Sequence, residues 1–356
     1  TDEDGFAALT RTDLSIRIGA GATTAVARIA SPEAAAEVLE ELAYERSAWL
    51  ESRTIEPIQT HSMLSDQRTA AIVTSAARIN WLCLPRIDSP AIFSELIGGP
   101  GYFSIASADG SPPVEQNYVP DTMVLRTIWP RFTVTDYLDS AGGRAFQRAG
   151  RSDLIRVIEG DGVATITFAP RPDFGRAPLR LRIVPDGIEC EGSSDPIVLR
   201  SPGVMWTIID DPPHQTAQAN VVLAALGQHN PVMLELRYGT ANMRAGIIPE
   251  SERRIQNERF WSGWVSALRL PSTARDVIAR SALVLKALCH GPTGAIAAAA
   301  TTSLPEQLGG SRNWDYRYSW PRDAAMAASS LLRLGNTGHA MKMADWLVSI
   351  VDRLES

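Results

Sequence analysis

The 356-residue sequence predicts a multi-domain protein of mixed class: a partial α/β segment, an antiparallel β-sandwich and a closing set of α-helices. Three observations carry this reading. The length exceeds one compact domain and fits two or three. Between about residues 56 and 270 the chain is a series of short alternating or apolar runs broken by Pro and Gly, the texture of antiparallel strands. On either side the apolar spacing lengthens to the helical period.

Taken in order, residues 2–9 carry a short helical pattern, and Leu14-Ser15-Ile16-Arg17-Ile18 alternates as a strand ended by Gly19. Arg28-Ile29-Ala30 reads as a second strand. Ser31-Pro32-Glu33 opens a helix, with Ser as N-cap and Pro at the first helical position. That helix runs to about residue 50, with Ala36, Leu39, Leu42 and Ala43 on one face. Residues 51–57 read as a linker after a first segment of residues 1–50. The sandwich, residues 58–270, draws strands from runs such as Ala71-Ile72-Val73, Asn80-Trp81-Leu82-Cys83-Leu84, Met123-Val124-Leu125-Arg126 and Ala164-Thr165-Ile166-Thr167-Phe168, and from residues 179–184 and 221–226. Residues 271–356 follow as helices. Residues 272–289 place Ser272 as N-cap and Val277, Ile278, Val284, Leu285 and Leu288 on one stripe. Residues 290–319 form a loop with hairpin character. Pro321 starts a helix that Gly335 stops, and residues 339–354 turn Met341, Ala344, Leu347, Val348 and Val351 inward. Three helices are too few to close a core, and the chain opens without Met, so it reads as a piece of something longer.

Composition narrows the function classes. With 34 basic and 40 acidic residues the net charge is -6, which argues against a nucleic-acid partner. Hydrophobic content of 45% with 21% charged residues is that of an ordered globular protein. The longest apolar stretches, such as residues 295–300, fall far short of the roughly 18 residues of a membrane span. Cys83, Cys190 and Cys289 are odd in number and widely spaced, which suggests a reduced, cytoplasmic chain. No HExxH, CxxC, GxxxxGK[ST] or GxSxG pattern occurs, so no zinc site, P-loop or serine elbow is indicated. Asp210-Asp211 and Glu189-Cys190-Glu191 are read as solvated strand edges, and Gly19-Ala20-Gly21 lacks the third glycine of a dinucleotide loop.

Two stretches carry chemistry. The first is Thr1-Asp2-Glu3-Asp4-Gly5-Phe6-Ala7-Ala8-Leu9, followed by Ile16-Arg17-Ile18-Gly19 and Thr23-Thr24-Ala25. It resembles the tail of trehalose-6-phosphate phosphatases of the haloacid dehalogenase superfamily. That resemblance covers about residues 1–45 and implies Mg²⁺ for the complete phosphatase, with its nucleophile and acidic pair upstream of Thr1. Asp2 and Glu3 would then lie near the metal without being its primary ligands. The same acids also suit a helix N-terminus through its dipole.

The second is Gly309-Gly310-Ser311-Arg312-Asn313-Trp314-Asp315-Tyr316-Arg317-Tyr318-Ser319-Trp320-Pro321-Arg322-Asp323. Four aromatics, three arginines and two aspartates in one segment suit a sugar pocket, where rings stack on C–H faces and Arg and Asp fork onto hydroxyls. An ion pair with aromatic packing at a loop–helix junction explains the composition equally well. The segment, with Leu331-Leu332-Arg333-Leu334-Gly335, resembles glycoside hydrolase family 15, the glucoamylases, glucodextranases and bacterial trehalases. So do Leu64-Ser65-Asp66-Gln67-Arg68-Thr69-Ala70-Ala71, residues 79–90, Pro292-Thr293-Gly294-Ala295-Ile296 and Thr301-Thr302-Ser303-Leu304-Pro305-Glu306. Together they cover about residues 60–356.

This resemblance implies a super-β-sandwich on an (α/α)6 toroid of which the opening helices are present. It implies that Tyr316 and Trp320 wall the non-reducing glucose while Arg322 and Asp323 grip its hydroxyls. Ser319 and Pro321 depart from the Cys and Leu of many bacterial relatives. Inverting hydrolysis needs two carboxylic acids about 6.5–9.5 Å apart. The family's two glutamates would lie beyond Ser356, Glu306 matches neither, and no cofactor is implied for the glycosidase. The expected partner is a small carbohydrate, trehalose or an α-glucan oligosaccharide. The combined reading is a phosphatase tail fused to an α-glucosidase or trehalase, inactive as this piece alone. The competing reading is a non-catalytic carbohydrate-binding or scaffolding module.

Overall fold

The structure is a computed structural model that describes residues 15–51, 56–140, 151–223, 231–302 and 312–354. The chain divides into two compact units, Thr1–Gln59 and Thr60–Ser356.

In the first unit, β1 (Ile16–Ile18) and β2 (Ala27–Ile29) pair in parallel, and α1 (Pro32–Glu51) follows. Ser31 caps this helix as its sequence requires: its Oγ accepts from Ala34 N at 3.2 Å. The expected apolar face is corrected. Ala35 is the buried residue, whereas Ala36, Leu39, Leu42 and Ala43 are exposed. Twenty residues of helix are about 30 Å long, and two strands about 5 Å apart are too narrow to cover them.

The second unit supplies the remaining strands, all antiparallel. In chain order they are β3 (Ser62–Ser65), β4 (Ala70–Val73), β5 (Arg78–Cys83), β6 (Ala91–Phe93), β7 (Tyr102–Ser107), β8 (Glu115–Tyr118), β9 (Leu125–Ile128) and β10 (Phe132–Leu138). Then come β11 (Ser152–Gly160), β12 (Gly162–Ala169), β13 (Arg180–Val184), β14 (Gly187–Glu191), β15 (Ile197–Arg200), β16 (Thr207–Asp211), β17 (His214–Leu223) and β18 (Val232–Tyr238). One sheet runs β13-β14-β15-β18-β11-β10-β9-β8, and the other β16-β17-β12-β7-β5-β4-β3 with β6 on β5. A single apolar core draws on both, with Leu154, Ile158, Leu234 and Leu236 from the first and Phe103, Ile166 and Phe168 from the second. Phe93, Phe103 and Phe168 pack at 5.2–6.4 Å between ring centroids.

One charge stands inside that core. Arg156 shares the inward face of β11 with Leu154 and Ile158, and its cross-strand partner on β10 is Asp136. Both side chains are fully buried. Arg156 donates from Nε to Asp136 Oδ1 at 2.8 Å and from Nη2 to Oδ2 at 3.1 Å. It also donates to the carbonyl of Phe103 in the opposite sheet (2.7 Å) and to that of Ala77 in the turn between β4 and β5.

The sequence pattern reads strands up to residue 270, but α2 (Glu250–Ser266) is a helix. Its buried stripe is Arg253, Asn257, Trp261 and Val265, at helical spacing but half polar. A pattern of apolar residues cannot register it. Arg253 Nη2 meets Asp139 at 2.7 Å and Asp153 at 3.5 Å, and Asn257 Nδ2 donates to Leu138 O at 2.8 Å. These bonds lay α2 on the outer face of β10 and β11, which explains why both strands are buried almost throughout.

Three further helices follow: α3 (Arg275–Leu288), α4 (Pro321–Arg333) and α5 (Thr337–Leu354). Here too the stripes differ from expectation. In α3 the cap position is Ala274, without a side-chain bond, and the buried residues are Ala279, Ala282, Leu283, Lys286 and Ala287; Val277 is exposed. In α5 the buried residues are Ala340 and Met343, while Met341, Val348 and Val351 face solvent. Two helices packed on one another through Ala327, Leu331 and Met343 each hide one stripe, so a second apolar stripe stays exposed. Among the described residues no helix is long and apolar enough to cross a membrane.

The helices dock on the sandwich through the turn between β3 and β4. Ser65 Oγ donates to Ala287 O at 2.7 Å, Gln67 Nε2 to Lys286 O at 3.0 Å, and Gly291 N to Gln67 O at 2.7 Å. Lys286 itself is buried against the rings of Phe260, Trp261 and Trp264, at 4.1, 5.0 and 4.9 Å from their centroids. Burial pushes its ammonium down to about 7.

Arg156→Leu is expected to cost about 3–5 kcal/mol, because it strands Asp136 in the core. Adding Asp136→Leu should restore most of that loss in urea unfolding. Lys286 titrates lower folded than unfolded, so the unfolded chain holds more protons between about pH 7 and 10 and stability rises with pH across that window. Lys286→Met should therefore gain about 1–3 kcal/mol at pH 6, the ring faces having offset part of the burial cost. Melting curves against pH should show that gain vanishing near pH 10.

Candidate functional site

The site is built where α3 runs out. Cys289 bridges to Ile296. His290 N donates to Ala295 O (2.7 Å) and Gly294 N to His290 O (2.8 Å), closing the expected hairpin. Gly294 is required there: its φ is +85°, and a Cβ would stand 2.7 Å from the backbone oxygen of Lys342. Ala298 N then donates to Tyr318 O (3.0 Å) and Ala299 N to Tyr316 O (2.7 Å), which ties the hairpin to the aromatic segment.

Within that segment the arginines divide by environment. Arg317 is buried and grips Asp315 bidentately, Nε to Oδ1 at 3.0 Å and Nη2 to Oδ2 at 2.7 Å. Its Nη1 donates to Ser89 O at 2.6 Å and lies 3.5 Å from Cys83 Sγ, both in the sandwich. Burial works to raise the Asp315 carboxyl, but the bonds from Arg317 outweigh it and hold the group below its usual range. Burial also pushes the Cys83 thiol up to about 12, so this is an inert thiol. Arg322 is the opposite case. Its side chain is 76% exposed on the first turn of α4, with Nη2 3.2 Å from Asp323 Oδ2.

The four residues singled out as sugar contacts form two pairs. Tyr316 and Trp320 are stacked, with centroids 5.8 Å apart and planes at 24°. Trp314 stands edge-on to Trp320 at 6.3 Å. Trp320 is also the residue that precedes Pro321 at the start of α4, so the ring platform leads straight into the Arg322–Asp323 pair. A half-exposed ring stack followed by an exposed charge pair offers a sugar both a C–H surface and hydroxyl partners.

Arg317, Tyr318 and Ser319 of the same segment line a cavity of about 430 Å³, completed by Trp346, His290 and the sandwich residues Arg68, Arg86 and Asp88. Tyr316, Trp320, Arg322 and Asp323 do not line it. Arg86 pairs with Asp88 at 2.9 and 3.1 Å. Burial and then the charges of Arg68 and Arg86 push His290 down to about 4, so the imidazole is neutral at physiological pH. The sequence likeness runs through Arg68 and Arg86 but gives neither residue a role. Nothing in their spacing shows that they meet His290.

Asp2, Glu3 and Glu306 lie outside the described residues. Among the described residues no group of three His, Cys, Asp or Glu could hold a metal ion. Glu189 and Glu191 pair with Arg182, and Asp211 with Arg171 at 2.6 Å, so these edge carboxylates are engaged by arginines.

Comparison with known proteins finds the family described as "Trehalase-like, N-terminal" over residues 44–261 and "Glycosyl hydrolases family 15" over residues 272–355. Trehalase of Mycobacterium tuberculosis is 28% identical over 310 residues, 78% of this chain and 44% of that protein. Trehalase of Thermoplasma volcanium is 28% identical over 315 residues, 83% of this chain and 47% of its own length. Trehalase 2 of Sulfolobus acidocaldarius is 26% identical over 304 residues, 82% and 49% respectively. The chain thus spans about half the length of the curated relatives it matches.

The two arginines should separate in stability measurements. Arg317→Ala removes a buried bidentate pair and is expected to cost about 3 kcal/mol. Arg322→Ala, at an exposed position, should stay within about 0.5 kcal/mol of the parent in thermal melts.

Proposed function

Since this chain belongs to the trehalase-like family, matched over more than half its length, we propose that the protein is a glycoside hydrolase that cleaves the α-glucosidic bond of trehalose. The observation that carries this reading is the Tyr316–Trp320 stack leading into the Arg322–Asp323 pair. The ring faces take the apolar face of a pyranose, and the guanidinium and carboxylate take its hydroxyls by charge-assisted bonds. The choice of trehalose over other α-glucosides follows the names of the relatives.

In this reading hydrolysis proceeds with inversion: one carboxylic acid protonates the leaving oxygen while a carboxylate across the bond activates water. The role of residues 312–323 in this reading is to bind and orient the sugar. Residues 1–45 keep their reading as the tail of a sugar-phosphate phosphatase, dependent on Mg²⁺ where complete. The parallel β1–β2 pair leading into α1 supports it.

The test uses the intact protein. It should release glucose from trehalose faster than from maltose. Trp320→Ala and Arg322→Ala should each lower kcat/KM by about 10- to 100-fold, the loss of a stacking face or a charged hydrogen bond. Melting temperatures should not change. Wild-type rates in both variants, or no glucose from trehalose, would sink the reading.

A further inference from the structure

The cavity beside the aromatic segment carries an unexplained charge. Seven arginines are buried among the described residues: Arg68, Arg156, Arg171, Arg200, Arg237, Arg253 and Arg317. Six of them meet a carboxylate: Asp136, Asp211, Glu235 (shared by Arg200 and Arg237), Asp139 and Asp315. Arg68 does not. It is 4% exposed, yet Nε and Nη1 find no hydrogen-bond acceptor among the described residues. A buried cation without an acceptor is costly, so a site that keeps one is suited to receive a negative group.

The surroundings agree. Asp66, the nearest carboxylate in sequence, accepts from Arg68 N and Thr69 N at 2.9 Å and from Ser152 Oγ at 3.1 Å. Asp88 is taken by Arg86 on the cavity wall. Ser319 Oγ and Gln67 Oε1, both on the lining, are likewise buried without partners. Arg68, Arg86 and Arg317 line the cavity against a single carboxylate, Asp88, so the lining is electropositive. Ile87 N donates to the Arg68 carbonyl at 2.9 Å, which joins two stretches of the lining.

We propose that this cavity binds an oxyanion, free or carried on a hydroxylated small molecule such as a sugar, with the Arg68 fork and Ser319 Oγ as donors. Gln67 Oε1 accepts from a hydroxyl of the same ligand. Tyr316 and Trp320 are not among its lining residues, which come from the sandwich, the helices and Arg317, Tyr318 and Ser319 between them.

Calorimetry on the intact protein at fixed ionic strength decides it, with sulfate, glucose 6-phosphate and neutral trehalose as probes. Sulfate binding marks a free-oxyanion site; glucose 6-phosphate binding without sulfate binding marks a sugar-borne one. Arg68→Met should weaken either by at least tenfold while leaving trehalose binding unchanged, and should raise the melting temperature of the unliganded protein. If that variant does not fold, Ser319→Ala should still weaken binding, and the anion should move the His290 ring resonances of the wild type. Absence of binding by both anions, or binding that both variants retain in full with His290 unmoved, would overturn the proposal.

Discussion

The sandwich turns on Arg156 and Asp136. They face each other across β10 and β11 on the inner side of the sheet, where aliphatic side chains would ordinarily fill the space. A charge is costly there unless its donors find acceptors. Asp136 takes two of the five N–H groups, and two more go to the carbonyl of Phe103 in the facing sheet and to that of Ala77 in the turn between β4 and β5. The pair therefore does more than neutralise itself. A slip of one residue between β10 and β11 would turn one of the two groups to the outer face and part it from the other, and a shift between the sheets would strand Arg156 from its carbonyls.

The same device recurs outward from the core. Arg253 lays α2 on the back of β10 and β11 through Asp139 and Asp153. Arg317 holds the aromatic segment against the sandwich through Ser89 O and its own Asp315. In each case a planar fork on a long stem reaches across a layer boundary, to carboxylates alone for Arg253 and to a carboxylate and a carbonyl together for Arg317. The helix α2 consequently sits where Asp139 and Asp153 place it, and the segment before Trp320 is anchored on the sandwich. Lys286 is the exception: its ammonium rests on ring faces and not on a carboxylate, and its proton is correspondingly loosely held.

Legibility tracked the kind of signal each element carried. The strands stood out because alternation and Pro/Gly punctuation are local, and β4, β5, β12 and β13 fall where the runs lie. Ser31, Pro321 and Gly335 marked helix ends for equally local reasons. The helix α2 escaped because its buried stripe contains Arg253 and Asn257, polar residues whose partners Asp139 and Leu138 lie more than 100 positions away. The stripes on α3 and α5 were displaced because the apolar pattern is wider than the contact a single neighbour provides. In the aromatic segment the residue types pointed to a sugar pocket, but Arg317 and Arg322 are indistinguishable as letters.

The sequence by itself determined the order of the parts, the antiparallel strand texture, the hairpin character of the loop at residues 290–319 and the aromatic segment that carries the likeness to a glycosidase. All of these rest on interactions within a few positions, where spacing and residue type suffice. Tertiary structure alone decided which arginine is a structural clamp and which is offered to solvent, that α2 is a helix, and that Arg68, Arg86 and His290 share one cavity. Those outcomes depend on which distant group supplies the acceptor for a buried donor, and the desolvation cost of leaving it unmet has no trace in the local pattern.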